Sequence, residues 1–383
     1  MKKSLLLFAL AFLLWNCGKD THQVQRSFCF WKTDAYLFEE EDSLLKTLKV
    51  KHAYIRYFDV GWNPYAKEAA PIATVSQIVG DFEAITPSVF IANDVMQQSD
   101  KKQLDQLAQR ISNRIGMIND EYFERAVRRR AYAISDKDFE TKRAALKVAE
   151  DQIKRLNVDS LQNAIRPKIE ASIKEILIDC DWTEKSKANY FYFLQQIKKA
   201  FPNHSIASTI RLWQYKYYEK AGIPPVDKGL LMCYNMNAVD NPKTANSIGS
   251  NKELESYLTH DDYQLPLDIA LPLFSWSVLF RGNQFKGILS SRVEILNDTV
   301  VFKKTGDHKM MIMNDILLGD FYARYGDEVR VEKISDSEIR EMIETIKDQI
   351  DIGDSTKVTF FSFDKKYIKD YGTKNIAAYY SLF

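Results

Sequence analysis

Short apolar runs, rich in β-branched and aromatic residues, alternate with longer amphipathic stretches along most of the chain. This alternation predicts parallel strands joined by helical crossovers. Eight runs have the length of a buried strand: Phe28–Trp31, Ala53–Phe58, Ser88–Ala92, Ile173–Asp181, Ser205–Leu212, Gly229–Asn235, Leu267–Phe274 and Val358–Phe363. Eight such strands predict an α/β protein with the (β/α)8, or TIM-barrel, fold.

Helical patterns fill most of the intervals between these strands. Thr183 can cap the helix that starts at Lys185, and Pro202-Asn203 stops it after Ala200. The predicted crossover helices are Ser43–Leu48, Ile72–Ile85, Lys101–Ile118, Lys185–Ala200 and Lys252–Leu258.

Two segments are longer than a minimal barrel needs. Residues 119–170 predict a helical insertion after strand 3, and residues 275–335 predict a small β insertion between strands 7 and 8. Asn297-Asp298 has the composition of a hairpin turn in the second insertion. In the first, acidic residues interleave with Arg128-Arg129-Arg130, which favours a solvated helical face over a polybasic site. Residues 28–383 are therefore predicted to form one barrel domain.

The amino terminus has the pattern of a secretion signal. Lys2 and Lys3 precede Ser4–Trp15, a run of twelve residues without charge. At about 1.5 Å per residue, this run is too short to cross a hydrocarbon core of about 30 Å. Cys17 follows the predicted signal, residues 1–16, and starts a polar linker over residues 17–27. We predict that Cys17 is lipidated as in a bacterial lipoprotein; the alternative is an ordinary signal peptide cleaved elsewhere.

Lipid chains on Cys17 would fix the exported protein to a bacterial membrane. The outer membrane is the expected location, and a surface and a periplasmic position are both open; Lys19-Asp20 resembles a tag that some Gram-negative bacteria use to send lipoproteins to the cell exterior. Removal of Lys2 and Lys3 leaves 51 basic against 52 acidic residues. This near-neutral balance lacks the basic face that a nucleic-acid partner requires.

Three cysteines remain after Cys17, namely Cys29, Cys180 and Cys233, and each lies in a predicted strand. Their odd number and irregular spacing favour buried apolar residues over a disulfide framework. The sequence contains no Gly-rich phosphate loop, no metal-ligand spacing among its five histidines and no Gly-x-Ser-x-Gly elbow. No metal and no cofactor are predicted.

In a TIM barrel, the side chains at the carboxyl ends of the strands line the site. Every tryptophan outside the signal lies at or near such a predicted end, and the flat apolar face and edge donor of an indole suit a pyranose ring. We predict a glycan site; the alternative is that these aromatics only plug the barrel. The predicted substrate-binding residues are Trp31, Arg56, Asp59, Trp182, Arg211, Trp213, Tyr234, Asn235 and Trp276.

Asp179 and Asp181 are the predicted catalytic residues. Residues two apart in a strand point to the same side, so both carboxyls are expected to face the barrel interior. Two close carboxylates raise one another's cost of ionising, which lets one stay protonated beside one charged base. A buried structural pair held by Arg56 or Arg211 is an equally open interpretation.

Three of these strands resemble a known family. Leu177–Thr183 is similar to the fourth-strand signature of family 18 glycoside hydrolases, the chitinase type, in which alternating aspartates precede a tryptophan and a glutamate. Leu231–Asn235 resembles the sixth strand of that family, with its Met-x-Tyr-Asp, and Leu271–Phe274 resembles the seventh. As an overall pattern, the chain is also similar to bacterial barrel lipoproteins grouped with those hydrolases. The resemblance implies a TIM barrel that acts on or binds glycans.

The sequence departs from the family at its reacting residues. Thr183 replaces the catalytic glutamate, Glu184 follows one residue later, and Asn235 replaces an aspartate. In the family that glutamate protonates the leaving oxygen while the substrate's acetamido group attacks. We therefore expect either a glycoside hydrolase with Asp181 as general acid and Asp179 tuning it, or a non-catalytic barrel that binds a saccharide or a protein.

Overall fold

The structure is a computed structural model that describes residues 23–32, 34–37, 39–80, 82–146, 150–259, 263–289 and 298–383. Its strands are β1 (Gln25–Phe30), β2 (Asp34–Tyr36), β3 (His52–Asn63), β4 (Glu68–Thr74), β5 (Gln77–Val79), β6 (Ala84–Ile91), β7 (Glu175–Asp179), β8 (Ser205–Arg211), β9 (Lys228–Met232), β10 (Leu267–Pro272), β11 (Ser275–Arg281), β12 (Gln284–Leu289), β13 (Phe302–Gly306), β14 (Lys309–Ile312), β15 (Ile316–Leu318), β16 (Phe321–Ala323), β17 (Glu328–Lys333) and β18 (Lys357–Phe361). The predicted signal peptide, Cys17 and the first residues of the linker lie outside the described residues.

Most of the helices connect successive strands of the barrel along the chain. They are α1 (Glu39–Thr47), α2 (Asn93–Gln98), α3 (Lys101–Leu146), α4 (Val158–Glu170), α5 (Lys187–Ala200), α6 (Leu212–Lys216), α7 (Tyr218–Ala221), α8 (Asn251–Tyr257), α9 (Asp336–Gln349), α10 (Lys365–Tyr371) and α11 (Thr373–Leu382), with a short 3-10 helix at Glu150–Gln152.

Eight parallel strands close into a barrel in the order β1, β3, β6, β7, β8, β9, β10 and β18, and β18 pairs with β1 to complete the ring. Parallel strands covered by helices are buried on both faces and are mostly apolar. All five residues of β7 and all six of β10 are accordingly buried. Each of the eight predicted strands overlaps one barrel strand, which confirms the predicted TIM barrel.

The predicted helix Ile72–Ile85 is wrong. β3 continues beyond the barrel and forms an antiparallel hairpin with β4, and β5 pairs with β2 before β6 begins. The segment contains several β-branched residues, which lose side-chain freedom in a helix and pack well on a pleated surface. Those residues are Ile72, Thr74, Val75, Ile78 and Val79.

Helix α3 is 46 residues long, whereas the predicted helix ended at Ile118. It passes through residue 119 without a break, so no local change marks the predicted start of the helical insertion, and α4 packs against it. None of the helices in the described part of the chain combines the length and the apolar character needed to cross a membrane.

A second sheet follows the seventh barrel strand. It is antiparallel, with strands in the order β12-β11-β17-β14-β13, and it has a small apolar core that includes Leu279, Ile312 and Val329. These strands lie within the predicted β insertion. Asn297, in the predicted hairpin turn, lies outside the described residues.

A buried polar network fills the amino end of the barrel. Lys357 Nζ donates to both carboxylate oxygens of Glu175 at 2.9 Å and to Asp268 Oδ2 at 3.2 Å. Lys228 Nζ lies 2.5 Å from Asp268 Oδ1, and the Tyr54 hydroxyl donates to Asp268 Oδ2 at 2.9 Å. Burial alone would lower the pKa of Lys357, but the charges of Asp268 and Glu175 raise it above its ordinary value.

Candidate functional site

An open cleft lies at the carboxyl ends of β7, β8 and β9, which is where TIM barrels carry their sites. Its volume of about 460 Å³ is typical of a small-molecule site. The lining residues are Asp181, Trp182, Thr183, Arg211, Leu212, Trp213, Gln214, Tyr234, Asn235, Met236, Asn237, Ala238 and Tyr257. The cleft thus brings together six of the predicted site residues: Asp181, Trp182, Arg211, Trp213, Tyr234 and Asn235.

Asp179 is the last residue of β7 and is buried, with 6% of its surface exposed. Thr209 Oγ1, on the neighbouring strand β8, donates to Asp179 Oδ1 at 2.7 Å. Burial raises the pKa of Asp179 to about 7; the Thr209 hydrogen bond opposes the shift, and the charges of Asp181 and Asp59 add to it. This carboxyl can therefore hold or release a proton near neutral pH.

Asp181 takes a different position from the one expected. β7 ends at Asp179, and the Trp182 N–H donates to the Cys180 carbonyl at 2.9 Å, so the chain turns and strand alternation stops. The Asp181 side chain is half-exposed in the cleft, with Oδ2 3.3 Å from Arg211 Nη1. The expectation that both aspartates face the barrel interior is wrong for Asp181.

The indole of Trp182 is buried, although its residue borders the cleft. It stacks on Tyr190 of α5 with ring centroids 5.1 Å apart, and its N–H donates to the Ala221 carbonyl at 3.1 Å. Because only 2% of Trp182 is exposed, the ring has no free face to offer a sugar. This corrects the expectation that Trp182 contacts substrate through its ring.

Trp31, Arg56 and Asp59 form a separate cluster, and the described lining of the cleft does not include them. Arg56 Nε donates to Asp59 Oδ1 at 2.6 Å and Nη1 to the Trp31 carbonyl at 3.1 Å, while the guanidinium carbon lies 5.1 Å from the Trp31 ring centroid. Of the two arginines considered for the aspartate pair, Arg56 therefore binds Asp59, and Arg211 binds Asp181.

Tyr234 and Asn235 follow Cys233 after the end of β9, and both line the cleft. The Tyr234 ring stacks on Phe361 at 5.0 Å and meets Phe274 edge-on at 5.9 Å. Burial raises the pKa of Tyr234 well above its ordinary value, so its hydroxyl keeps its proton. Asn235 is exposed and has φ +55°, a left-handed conformation that asparagine tolerates better than most residues.

Trp213 supplies the exposed aromatic surface of the cleft, with 43% of its area accessible, and its ring lies 5.7 Å from that of Tyr217. Trp276 instead belongs to the second sheet. Its indole N–H donates to Glu332 Oε2 at 2.8 Å, and its ring packs 5.0 Å from Phe274.

The lining residues that were not predicted as site residues include Gln214, Asn237 and Tyr257, which carry polar groups. Gln214 accepts the Arg211 N–H at 2.8 Å and donates to the Trp182 carbonyl at 2.9 Å, so it fixes two strand-end turns to each other. Its position three residues after Arg211 is the spacing of a helix cap, a signal that could have been found. Asn237 and Tyr257 enter the cleft only because the loop after β9 and helix α8 fold over the mouth, which no local pattern shows.

Cys29, Cys180 and Cys233 are free and buried, as predicted. Burial raises the pKa of Cys29 to about 12 and raises the pKa of the other two thiols as well. Among the residues that the structure describes, no three histidine, cysteine, aspartate or glutamate side chains are grouped to hold a metal ion.

A closed ring of eight parallel strands with a cleft at their carboxyl ends defines a TIM-barrel protein. A comparison with protein-family models finds no match, and a comparison of the sequence with curated proteins finds none either. The solved structures that resemble the chain include the spore cortex-lytic enzyme SleL of Bacillus cereus, with 11% sequence identity and a TM-score of 0.45 over 95% of this chain and 75% of that chain. The same barrel hosts many unrelated reactions, so the function must be derived from the residues of the cleft.

Proposed function

We propose that this chain is a glycan-binding barrel lipoprotein whose cleft holds a saccharide. The observation that carries the proposal is the lining of the cleft, which places the exposed ring of Trp213 with Tyr234 and Tyr257 beside the amides of Asn235 and Asn237. The NH2 group of Asn237 donates to the Asn246 carbonyl and to Glu253, which leaves its amide oxygen for a ligand. A pyranose is apolar on its C–H faces and polar at its rim, so it needs aromatic surface and hydrogen-bonding groups side by side.

The described contacts support a preorganised site. Tyr234 is held between Phe361 and Phe274, so little side-chain freedom is lost when a sugar binds. Arg211 and Asp181 are paired at 3.3 Å but half-exposed, which leaves donors and acceptors available to hydroxyl groups.

Hydrolysis is the second candidate function. Asp179 is buried and is not among the described lining residues of the cleft, but it lies two residues before Asp181, which is. Burial raises the pKa of Asp179 to about 7, and a general acid works best near the operating pH. The chitinase-type reaction is not part of the proposal. Thr183 occupies the position of the family's glutamate, and its carbonyl accepts the Lys187 N–H at 2.9 Å where helix α5 begins.

Trp213→Ala is expected to weaken saccharide binding by about 1–3 kcal/mol, because the change removes the exposed aromatic face of the cleft. Calorimetry with chitotetraose and cellotetraose, extended to a glycan array, measures the effect. Trp62→Ala is the matched control, since Trp62 lies in the hairpin of β3 and β4. Equal affinities in the two variants, or a parent protein that binds no glycan, would contradict the proposal. Release of reducing ends by the parent but not by Asp179→Asn would establish hydrolysis.

Attachment to a membrane through Cys17 is part of the same proposal and rests on the sequence pattern of residues 1–19. The described chain enters the barrel at the start of β1, which is the end opposite the cleft. An anchor at Cys17 would therefore let the cleft face away from the membrane surface.

Cys17→Ser should abolish lipid attachment, because acylation needs the thiol. Growth with labelled palmitate, followed by recovery of the protein, measures incorporation in the parent and the variant. Cys29→Ser is the control and should label like the parent, since Cys29 is a buried residue of β1. Equal labelling of Cys17→Ser and the parent would remove the anchor from the proposal.

A further inference from the structure

The cleft loop, residues 233–250 between β9 and α8, contains neither helix nor strand. Loops of this length without secondary structure are uncommon and are usually functional. Met236 and Asn237 in its first limb line the cleft, and their N–H groups donate to the carbonyls of Ile248 and Ser247 in its second limb, at 3.4 and 3.3 Å. The position of Ser247 therefore influences where Asn237 lies in the cleft.

Two residues of β17 hold this loop from the second sheet. Arg330 and Glu332 are two positions apart, so they share one face of the strand, and each is 1% exposed. Glu332 Oε2 accepts the Ser247 N–H at 2.7 Å and also the Ser247 hydroxyl. Arg330 Nη1 and Nη2 donate to the carbonyls of Asn241 and Val239, both at 2.8 Å. Arg330 Nε donates to Glu332 Oε1 at 2.6 Å, which joins the two attachments.

A buried ion pair is a poor source of stability, because desolvation offsets the attraction and an apolar pair of similar volume is often at least as stabilising. The contribution of the Arg330–Glu332 pair is to fix the positions of the loop atoms that it binds. The planar guanidinium of Arg330 reaches two carbonyls at once, which a flexible ammonium could not do in the same way. The carboxylate of Glu332 satisfies the amide and hydroxyl of Ser247, which is itself only 1% exposed.

We infer that Arg330 and Glu332 are positioning residues for the cleft: they attach the cleft loop to the second sheet and thereby place Asn237 where a saccharide binds. The second sheet then contributes to affinity through the loop that it holds. The binding consequence rests on the proposed function, whereas the attachment of the loop is a separate property of the molecule.

Glu332→Gln tests the inference in the full chain. The amide keeps the size of the side chain but removes the charge that pairs with Arg330 and accepts two hydrogen bonds from Ser247. Amide hydrogen exchange over residues 236–250 should accelerate by about tenfold or more, since the loop opens more easily. The Kd for chitotetraose and cellotetraose, measured by calorimetry, should rise by about tenfold.

Asp327→Asn is the matched control. Asp327 is equally buried, at 3% exposed, and accepts two hydrogen bonds from Arg281 at 2.9 and 2.7 Å, but these contacts stay within the second sheet. It should leave both the exchange of the cleft loop and the Kd as in the parent. If Glu332→Gln fails to fold, Arg330→Lys is measured instead, because lysine keeps the positive charge but lacks the planar guanidinium that binds two carbonyls at once.

Unchanged exchange over residues 236–250 in Glu332→Gln, or an equal change in Asp327→Asn, would overturn the inference. Faster hydrogen exchange in the cleft loop with an unchanged Kd would also overturn the inference, since the loop would then not position the site. A parent that binds neither tetrasaccharide would count against the proposed function, and the exchange rates would still decide the attachment.

Discussion

Asp179→Asn is expected to make the protein about 2–4 kcal/mol more stable than the parent at pH 8 and to leave the two nearly equal at pH 4. The pKa of Asp179 is about 7 in the folded chain because the carboxyl is buried, against about 3.9 when the chain is unfolded. Between these values the folded state binds more protons than the unfolded state, so this group makes stability fall as pH rises from about 4 to 7. At about 1.4 kcal/mol per pKa unit, the full loss is about 4 kcal/mol. Asparagine cannot ionise, so the variant avoids this loss of stability.

Urea unfolding of the parent and of Asp179→Asn between pH 4 and 8 measures this difference, since other titrating groups are common to both proteins. Asp181→Asn is the control. Its half-exposed pair with Arg211 resembles a surface ion pair, so this variant should differ from the parent by about 1 kcal/mol or less at both pH values. Parallel pH profiles for the parent and Asp179→Asn would show that the carboxyl does not stay protonated in the barrel.

Lys357→Met is expected to destabilise the protein by about 3–5 kcal/mol, which is the usual cost of removing one partner from a buried ion pair. Lys357 lies at the amino end of the barrel with 12% of its side chain exposed, and it donates to Glu175 and Asp268, whose side chains are 11% and 1% exposed. Methionine fills a similar volume but leaves the carboxylate of Glu175 without its cation. Lys228 still pairs with Asp268 at 2.5 Å, so the loss falls mainly on Glu175.

Thermal and urea unfolding at neutral pH measure this loss. Lys198→Met is the matched control, because Lys198 pairs with Asp227 at 2.6 Å with both side chains about 40% exposed, and its loss should cost about 1 kcal/mol or less. The double variant Lys357→Met, Glu175→Gln should recover part of the stability, since the unpaired charge is gone. A Lys357→Met variant as stable as Lys198→Met would contradict the role of the network.

The barrel could be predicted from the sequence because its strands are buried on both faces and therefore contain apolar runs, as at residues 176–178 and 269–272. The ends of the strands could be predicted less accurately than their positions. The strand predicted to reach Asp181 ends at Asp179, where the turn at Trp182 takes over. Residues 72–85 contain strands instead of the predicted helix, because their β-branched residues pack well on a pleated surface.

The position of the cleft could be predicted, since Asp181, Arg211, Trp213, Tyr234 and Asn235 all meet at the carboxyl ends of the strands. The residues that contact the predicted site residues could not be predicted. The ring of Trp182 is covered by Tyr190 on the following helix, and the indole N–H of Trp276 binds Glu332, which is 56 positions away. Such contacts depend on how the elements dock, and no local spacing records them.

The three buried cysteines have a practical consequence for spectroscopy. Thiol reagents attack the thiolate, and burial keeps Cys29, Cys180 and Cys233 protonated and out of reach in the folded state. New cysteines at exposed positions, such as Tyr65 in the hairpin of β3 and β4 and Leu317 in β15, would then be the preferred sites for maleimide dyes. With a donor dye and an acceptor dye at two such positions, distances across the protein could be followed by fluorescence energy transfer without first replacing these three native thiols.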